Sequence, residues 1–171
     1  MQPLSGKEIS ARVSGMVSPK HQVHGYAVDL TVRRVSVVDP TGRVDFGGSE
    51  YVPAGRIEVA AVRRNPDDKY LWWELSRGAY FLEFNESLDL AADEMGVIEP
   101  DDRLLRAGAS HAALYVRGKQ APVEMLLEVN VTRLMIKQNA RVSRVRAFRF
   151  DGRGAASAAP AKPAAPAKKK K

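Results

Sequence analysis

From Tyr26 to Phe150 the chain is a succession of short β-branched or alternating apolar runs cut by turn residues. That pattern restricts the fold to a mainly β architecture, a sandwich or a barrel. Strands are expected over 27–38, 56–62, 71–75, 79–83, 112–116, 125–132 and 142–150, with a turn at Asp39-Pro-Thr-Gly42. The stretch 87–93 fits a strand or a turn equally well. One helix start stands out: Ser5 and Glu8 have the spacing of a capping box and open a short helix running to about Val13. Trp72 and Trp73 are adjacent on a strand, so one ring faces each side of the sheet. One ring belongs in the core; the other is a subunit contact or a stacking platform.

The chain has no cysteine, which excludes disulfides, thiolate metal sites and a cysteine nucleophile. No apolar run approaches the ~20 residues of a membrane span, and Met1 to Arg12 lacks the apolar stretch of a secretory signal. A cytoplasmic protein with no membrane partner is expected. The net charge is +7, but the five lysines of Ala155–Lys171 account for most of it and leave the rest of the chain at +2. That tail contains only Ala, Pro, Ser and Lys. It has no large apolar side chain to offset its ordering entropy, and Pro160, Pro163 and Pro166 oppose a helix. The expectation is a β domain over 1–153 and a disordered basic tail over 154–171.

Six segments, in order, resemble the trimeric dUTPase and dCTP deaminase superfamily. Leu4-Ser-Gly-Lys-Glu-Ile9 is similar to its opening helix, and Gly25-Tyr-Ala-Val-Asp-Leu-Thr-Val32 to its first motif. Arg77-Gly-Ala-Tyr-Phe-Leu-Glu-Phe-Asn-Glu86 resembles a segment of the archaeal members. Gly96 to Gly108 is similar to the family's Pro-Arg-Ser-Ser phosphate motif and its flanks. Met125 to Asn130 and Asn139 to Phe148 resemble the last two core strands. The resemblance covers Leu4 to Phe150 and implies a distorted β jelly roll, a homotrimer with sites between subunits, and a nucleotide as ligand. Family enzymes split or deaminate a nucleoside triphosphate, which needs cations on the phosphates, Mg²⁺ to orient them, and a carboxylate to activate water.

Several of those requirements are altered here. Where the family has Pro-Arg-Ser-Ser, this chain has Pro100-Asp101-Asp102-Arg103. Two carboxylates facing a triphosphate would repel it. The acid pair reads as a solvated turn, with a metal-holding pair as the alternative. No acid lies between His111 and Gly118, where dUTPases carry their water-activating aspartate. Arg144 replaces the glutamine of an Arg-Ile-Ala-Gln motif, and only Asp151-Gly-Arg-Gly154 is left of a Gly-rich C-terminal arm. Glu128 lies near the position of the deaminases' catalytic glutamate; without that role it is an outward-facing acid on a strand.

His21, His24 and His111 could in principle form a three-histidine metal site, but scattered histidines are ordinarily surface or core residues, and no resident metal is expected. Arg141, Arg144, Arg146, Arg149 and Arg153 are interleaved with apolar residues and lead into Lys162, Lys168, Lys169, Lys170 and Lys171. These read either as the charged outer face of a strand or as a basic stripe for a polyanion. The function that follows is a non-catalytic dUTPase-like binding module for RNA or a ribonucleoprotein, its nucleic acid held by Arg144, Arg146, Arg149, Arg153 and the tail lysines. The alternative is an active dUTP diphosphatase or dCTP deaminase. It would use Glu128 or Asp29 as base, Arg103 and Arg106 on phosphate, and Mg²⁺ as cofactor.

Overall fold

The computed structural model describes residues 1–39 and 41–150. Pro40 of the expected turn, Arg153, the tail lysines and the domain end near residue 153 lie outside the described residues. The elements run β1 (Gln2–Pro3), α1 (Gly6–Ser10), β2 (Val13–Ser14), α2 (Pro19–Gln22), β3 (Val28–Val38), β4 (Arg56–Glu58) and β5 (Trp72–Phe84). They continue with β6 (Ser87–Asp89), β7 (Glu94–Pro100), α3 (Asp102–Arg106), β8 (Ala109–Ser110), β9 (Leu114–Val116), β10 (Lys119–Gln120), β11 (Glu124–Lys137) and β12 (Arg141–Arg149). A nine-stranded sheet in the order β8-β11-β5-β3-β12-β7-β9, with β1 beside β12 and β4 beside β3, curls into a half-barrel. A three-stranded sheet, β10-β6-β2, completes the fold.

The mainly β expectation holds. The segments expected as two strands, 71–75 and 79–83, form a single strand of thirteen residues. Gly78 reads as a break in sequence, yet the ladder to β11 runs through it, pairing Gly78 with Val129. The irregularity sits instead in β11, as a bulge between Val129 and Arg133. That bulge keeps Met125, Leu127 and Val129 on the inner face, and Leu134 and Ile136 as well. The stretch 87–93 is a short strand followed by a turn. The capping box forms as expected: the Glu8 amide donates to Ser5 Oγ at 3.3 Å, and the Ser5 amide donates to Glu8 Oε2 at 2.9 Å.

The core lies inside the curl. Val28, Leu30, Val32, Val35, Leu82, Phe84, Ile98, Leu127 and Val145 are almost wholly removed from water. Each such side chain stabilises by about 1.5–3 kcal/mol relative to exposure. Two glycines mark close approaches. A Cβ at Gly6 would stand 1.7 Å from the His24 carbonyl oxygen, so α1 can pack on the 24–27 turn only with glycine there. Gly108 follows α3 at φ +87°, in the left-handed conformation that ends many helices, and Val131 fills the space a side chain would need.

Two buried carboxylates tie elements together. Glu86 accepts from the Thr31 amide (2.8 Å), Thr31 Oγ1 (2.6 Å) and Gln22 Nε2 (2.7 Å). Burial nevertheless raises its pKa, because no cation faces it in those bonds. Glu94 lies equally deep, and desolvation pushes its pKa up. Hydrogen bonds from Arg12, the Ala91 amide and Arg149 more than reverse that and hold it at about 2.

Candidate functional site

The strands β3 and β12 place two of the residues singled out from sequence directly opposite each other: Arg144 pairs in register with Asp29. Arg144 Nε donates to Asp29 Oδ1 at 2.9 Å, and its terminal nitrogen donates to Asp101 Oδ2 at 3.1 Å. One guanidinium therefore bridges β3 to the start of α3. On the other oxygen of Asp29, His24 Nε2 lies at 2.8 Å, Arg141 donates at 3.3 Å and Arg103 stands at 4.0 Å. Asp29 is almost wholly buried beneath these three arginines and His24.

Contrary to the expectation for the Asp101-Asp102 pair, Asp101 is not part of a solvated turn. It is 5% exposed and caps α3: its Oδ1 accepts from the Arg103 amide at 3.0 Å and from Arg103 Nε at 2.8 Å. Desolvation works against its charge, but the bonds from Arg103 and the field of Arg144 outweigh it and lower the pKa. The cap was legible, since Asp101 precedes the apolar pair Leu104-Leu105 at helical spacing. Asp102 behaves as a surface acid, exposed and 2.8 Å from Arg106 one turn on.

Three arginines here face two carboxylates, so the network is internally paired with one positive charge in excess. Every oxygen of Asp29 and Asp101 faces a cationic group, so the pair does not fit a divalent cation. Among the described residues no three His, Asp or Glu side chains converge as a metal site. The histidines are dispersed into other bonds: His21 Nδ1 lies 2.8 Å from Ser18 Oγ, and His111 Nε2 lies 2.8 Å from the buried Ser143 Oγ. Burial lowers the pKa of His111, only partly countered by the Ala112 carbonyl.

Glu128 stands apart from the network. It projects from the outer face of β11, opposite Ala79 of β5 and Ser110 of β8. Its carboxylate has no hydrogen bond or ion pair among the described residues. The arginines of β12 are all engaged: Arg146 with Glu99 at 2.6 Å, and Arg149 with Glu94 at 2.9 Å. Contacts that sequence reasoning missed are those of His24 and Arg141 with Asp29. Only the turn after α2 and the β3–β12 register bring them together.

Trp73 is the core ring, and its indole N–H donates to the Val59 carbonyl at 3.1 Å. Trp72 lines an open groove of about 410 Å³ between α3 and the β11–β12 hairpin, shared with Arg103, Met135, Lys137, Asn139 and Arg141.

Fold and site together describe a curled half-barrel whose first long strand and last strand meet over a buried arginine–carboxylate network. No protein-family model matches the chain. It is 28% identical over 134 residues to a protein named probable deoxyuridine 5′-triphosphate nucleotidohydrolase from Methanosarcina mazei, covering 74% of this chain and 71% of that one. A protein of the same name from Archaeoglobus fulgidus is 28% identical over 150 residues, 83% of this chain and 84% of that one. The crystal structure of 2′-deoxycytidine 5′-triphosphate deaminase from Agrobacterium tumefaciens matches with a TM-score of 0.64 at 14% identity, over 87% of this chain. The chain spans 48% of the length of that deaminase chain. In sequence and in fold the chain is similar to the dUTPase and dCTP deaminase superfamily. Among the described residues no helix is long and apolar enough to cross a membrane.

Proposed function

We propose that this chain is a superfamily member that does not hydrolyse or deaminate a nucleoside triphosphate and serves instead as a binding module. The observation that carries the reading is the ion network. Asp101 stands where the resemblance implies a phosphate-binding arginine, and with Asp29 it engages Arg103, Arg141 and Arg144. A triphosphate entering there would have to displace two buried carboxylates from their cations, an exchange with no net electrostatic gain. The partner is RNA or a ribonucleoprotein surface, reached through the five lysines of Ala155–Lys171. Assembly as a homotrimer would present three such tails and add avidity.

Pyrophosphate and ammonia release from dUTP and dCTP with Mg²⁺ tests the first half. No turnover above that of Glu128→Gln is expected. The unpaired, exposed carboxylate of Glu128 favours a second reading, a retained hydrolase or deaminase with Mg²⁺ brought in on the substrate phosphates. Turnover that Glu128→Gln abolishes would establish that reading instead. The second half is tested by replacing the five tail lysines with glutamine. RNA affinity should then fall and its salt dependence flatten by about 0.7 in log–log slope for each lysine that had met a phosphate. Unchanged affinity and slope would remove the tail from the function.

A further inference from the structure

We propose that the groove beside Trp72 is a second contact surface, on the body of the protein, for single-stranded nucleic acid. This rests on the nucleic-acid-binding reading above and adds a site to it. The argument begins with which cations are free. Arg103, Arg141, Arg144, Arg146 and Arg149 all have carboxylate partners. Arg64, Lys69 and Lys137 have none among the described residues, and all three are exposed. They stand around two aromatic rings instead. The Arg64 guanidinium lies 5.4 Å and the Lys137 ammonium 5.3 Å from the Trp72 ring centre. Lys69 and Lys137 lie 5.4 and 5.3 Å from that of Tyr70.

The acids near these cations do not cancel them. Asp68 accepts from the Asn65 amide at 3.2 Å. Asp67 is exposed in the same loop. Arg63, Arg64, Lys69 and Lys137 outnumber those two carboxylates. Glu74, further along β5, is held by Arg133 at 2.7 Å. On the far side of the groove Arg103 and Arg141 keep the wall cationic, although their own charges are shared with Asp101 and Asp29.

Trp72 and Lys137 line the groove, and Tyr70, Arg64 and Lys69 adjoin them through their ring contacts. Rings flanked by unpaired cations at an open groove are the combination that single strands require. Bases stack on the aromatic faces while the backbone follows the positive charge, with little demand on sequence. A duplex would offer no unstacked base to Trp72. A single small nucleotide would use only part of a groove open along its length. The cations of Trp72 and Tyr70 are at van der Waals or longer range, held by attraction to the rings alone, so a phosphate can draw them aside at small cost.

The test uses the full chain and two labelled probes, dodecauridylate and its thymidylate counterpart, in fluorescence anisotropy across a salt series. The triple variant Arg64→Gln, Lys69→Gln, Lys137→Gln should lose about tenfold or more in affinity and about 2 in the log–log salt slope. Trp72→Leu, with every charge kept, should weaken binding by a similar factor while leaving the slope in place. Ultraviolet crosslinking should map to the peptide carrying Tyr70 and Trp72. Should Trp72→Leu fail to fold, the triple variant, which alters only exposed side chains, decides alone. Crosslinks confined to residues 151–171, with the triple variant binding as tightly as the wild type, would overturn the groove and leave the tail reading standing. A wild-type protein that binds neither probe would overturn both. A preference for one probe over the other supports the groove and tells RNA from DNA as its source.

Discussion

Two basic regions lie within one hairpin of each other and have opposite chemistry. Around β3, β12 and the start of α3, partly exposed arginines cover buried carboxylates; Asp29 alone faces three arginines and His24. At the far end of the β11–β12 hairpin, Arg64, Lys69 and Lys137 have only aromatic rings for company. In the first region the charge is spent on holding strands and a helix together. In the second it is available to a ligand. The lesson is that a row of arginines in a strand says little about binding until their partners are known. The stripe on β12 is engaged almost throughout, whereas the open cations come from a loop and a hairpin end that no sequence periodicity marks.

The comparison breaks most sharply at Asp29. Asp29→Asn would remove the carboxylate partner of Arg141 and one of the two of Arg144, and with both guanidinium groups about a third exposed the loss should be about 1.5–3 kcal/mol. For a domain of this size that is a drop in Tm of roughly 3–12 °C by calorimetry. Asp101→Asn should cost less, about 1–2 kcal/mol, through the lost ion pairs with Arg103 and Arg144, since asparagine still caps α3. Because both carboxylates share Arg144, only the double variant leaves that guanidinium unpaired, and it should destabilise by more than the sum. Strict additivity, or a Tm unchanged in Asp29→Asn, would show that the network is not the structural element described here.

A second spent region sharpens the same contrast and gives it a pH signature. Glu94, under Arg12 and Arg149, titrates at about 2 when folded against an ordinary 4.5. A depressed carboxyl pKa means the unfolded chain binds its proton first. The stability it contributes is therefore complete above pH 4.5 and is lost as pH falls from 4.5 through 2. The loss is on the order of 3 kcal/mol. Glu86 works in the other direction: its raised pKa makes the folded state the better proton acceptor, so its contribution is complete below pH 4.5 and is lost as pH rises through the raised value. Urea denaturation across pH should show Glu94→Gln flattening the acid limb. Glu86→Gln should leave that limb and remove the decline above it.

Much of the fold was legible because periodicity and turn residues report a pleated, half-buried surface directly. The capping box of Ser5 and Glu8 was fully local, and so it formed as read. The break expected between Leu75 and Ala79 did not, because pairing with β11 is a long-range fact that overrides local sequence. The site divides the same way. Asp29, Arg103 and Arg144 were visible as altered or retained motif positions. That Asp29 meets Arg144 and Arg141 depends on register between strands more than a hundred residues apart, while His24 reaches Asp29 through the turn after α2. Glu128 as an outward-facing acid followed from alternation alone. The adjacent tryptophans were divided correctly between core and surface by the same rule; which one faced a cationic groove was not in the pattern.

The smallest expected effect is the most discriminating between the two regions. Arg64, Lys69 and Lys137 are exposed and unpaired with carboxylates, so replacing all three by glutamine should change folding stability by no more than about 0.5 kcal/mol for each site. Their contacts to Trp72 and Tyr70 lie beyond 5 Å and are open to water, where such attraction is weakest. Arg144→Gln, a single charge removed from the network, should cost several times more, because it leaves Asp29 and Asp101 facing one cation fewer in a buried setting. Matched urea titrations of the two variants compare the regions directly. If the triple variant is destabilised as much as Arg144→Gln, the loop cations are structural after all, and the groove has no charge to spare for a ligand.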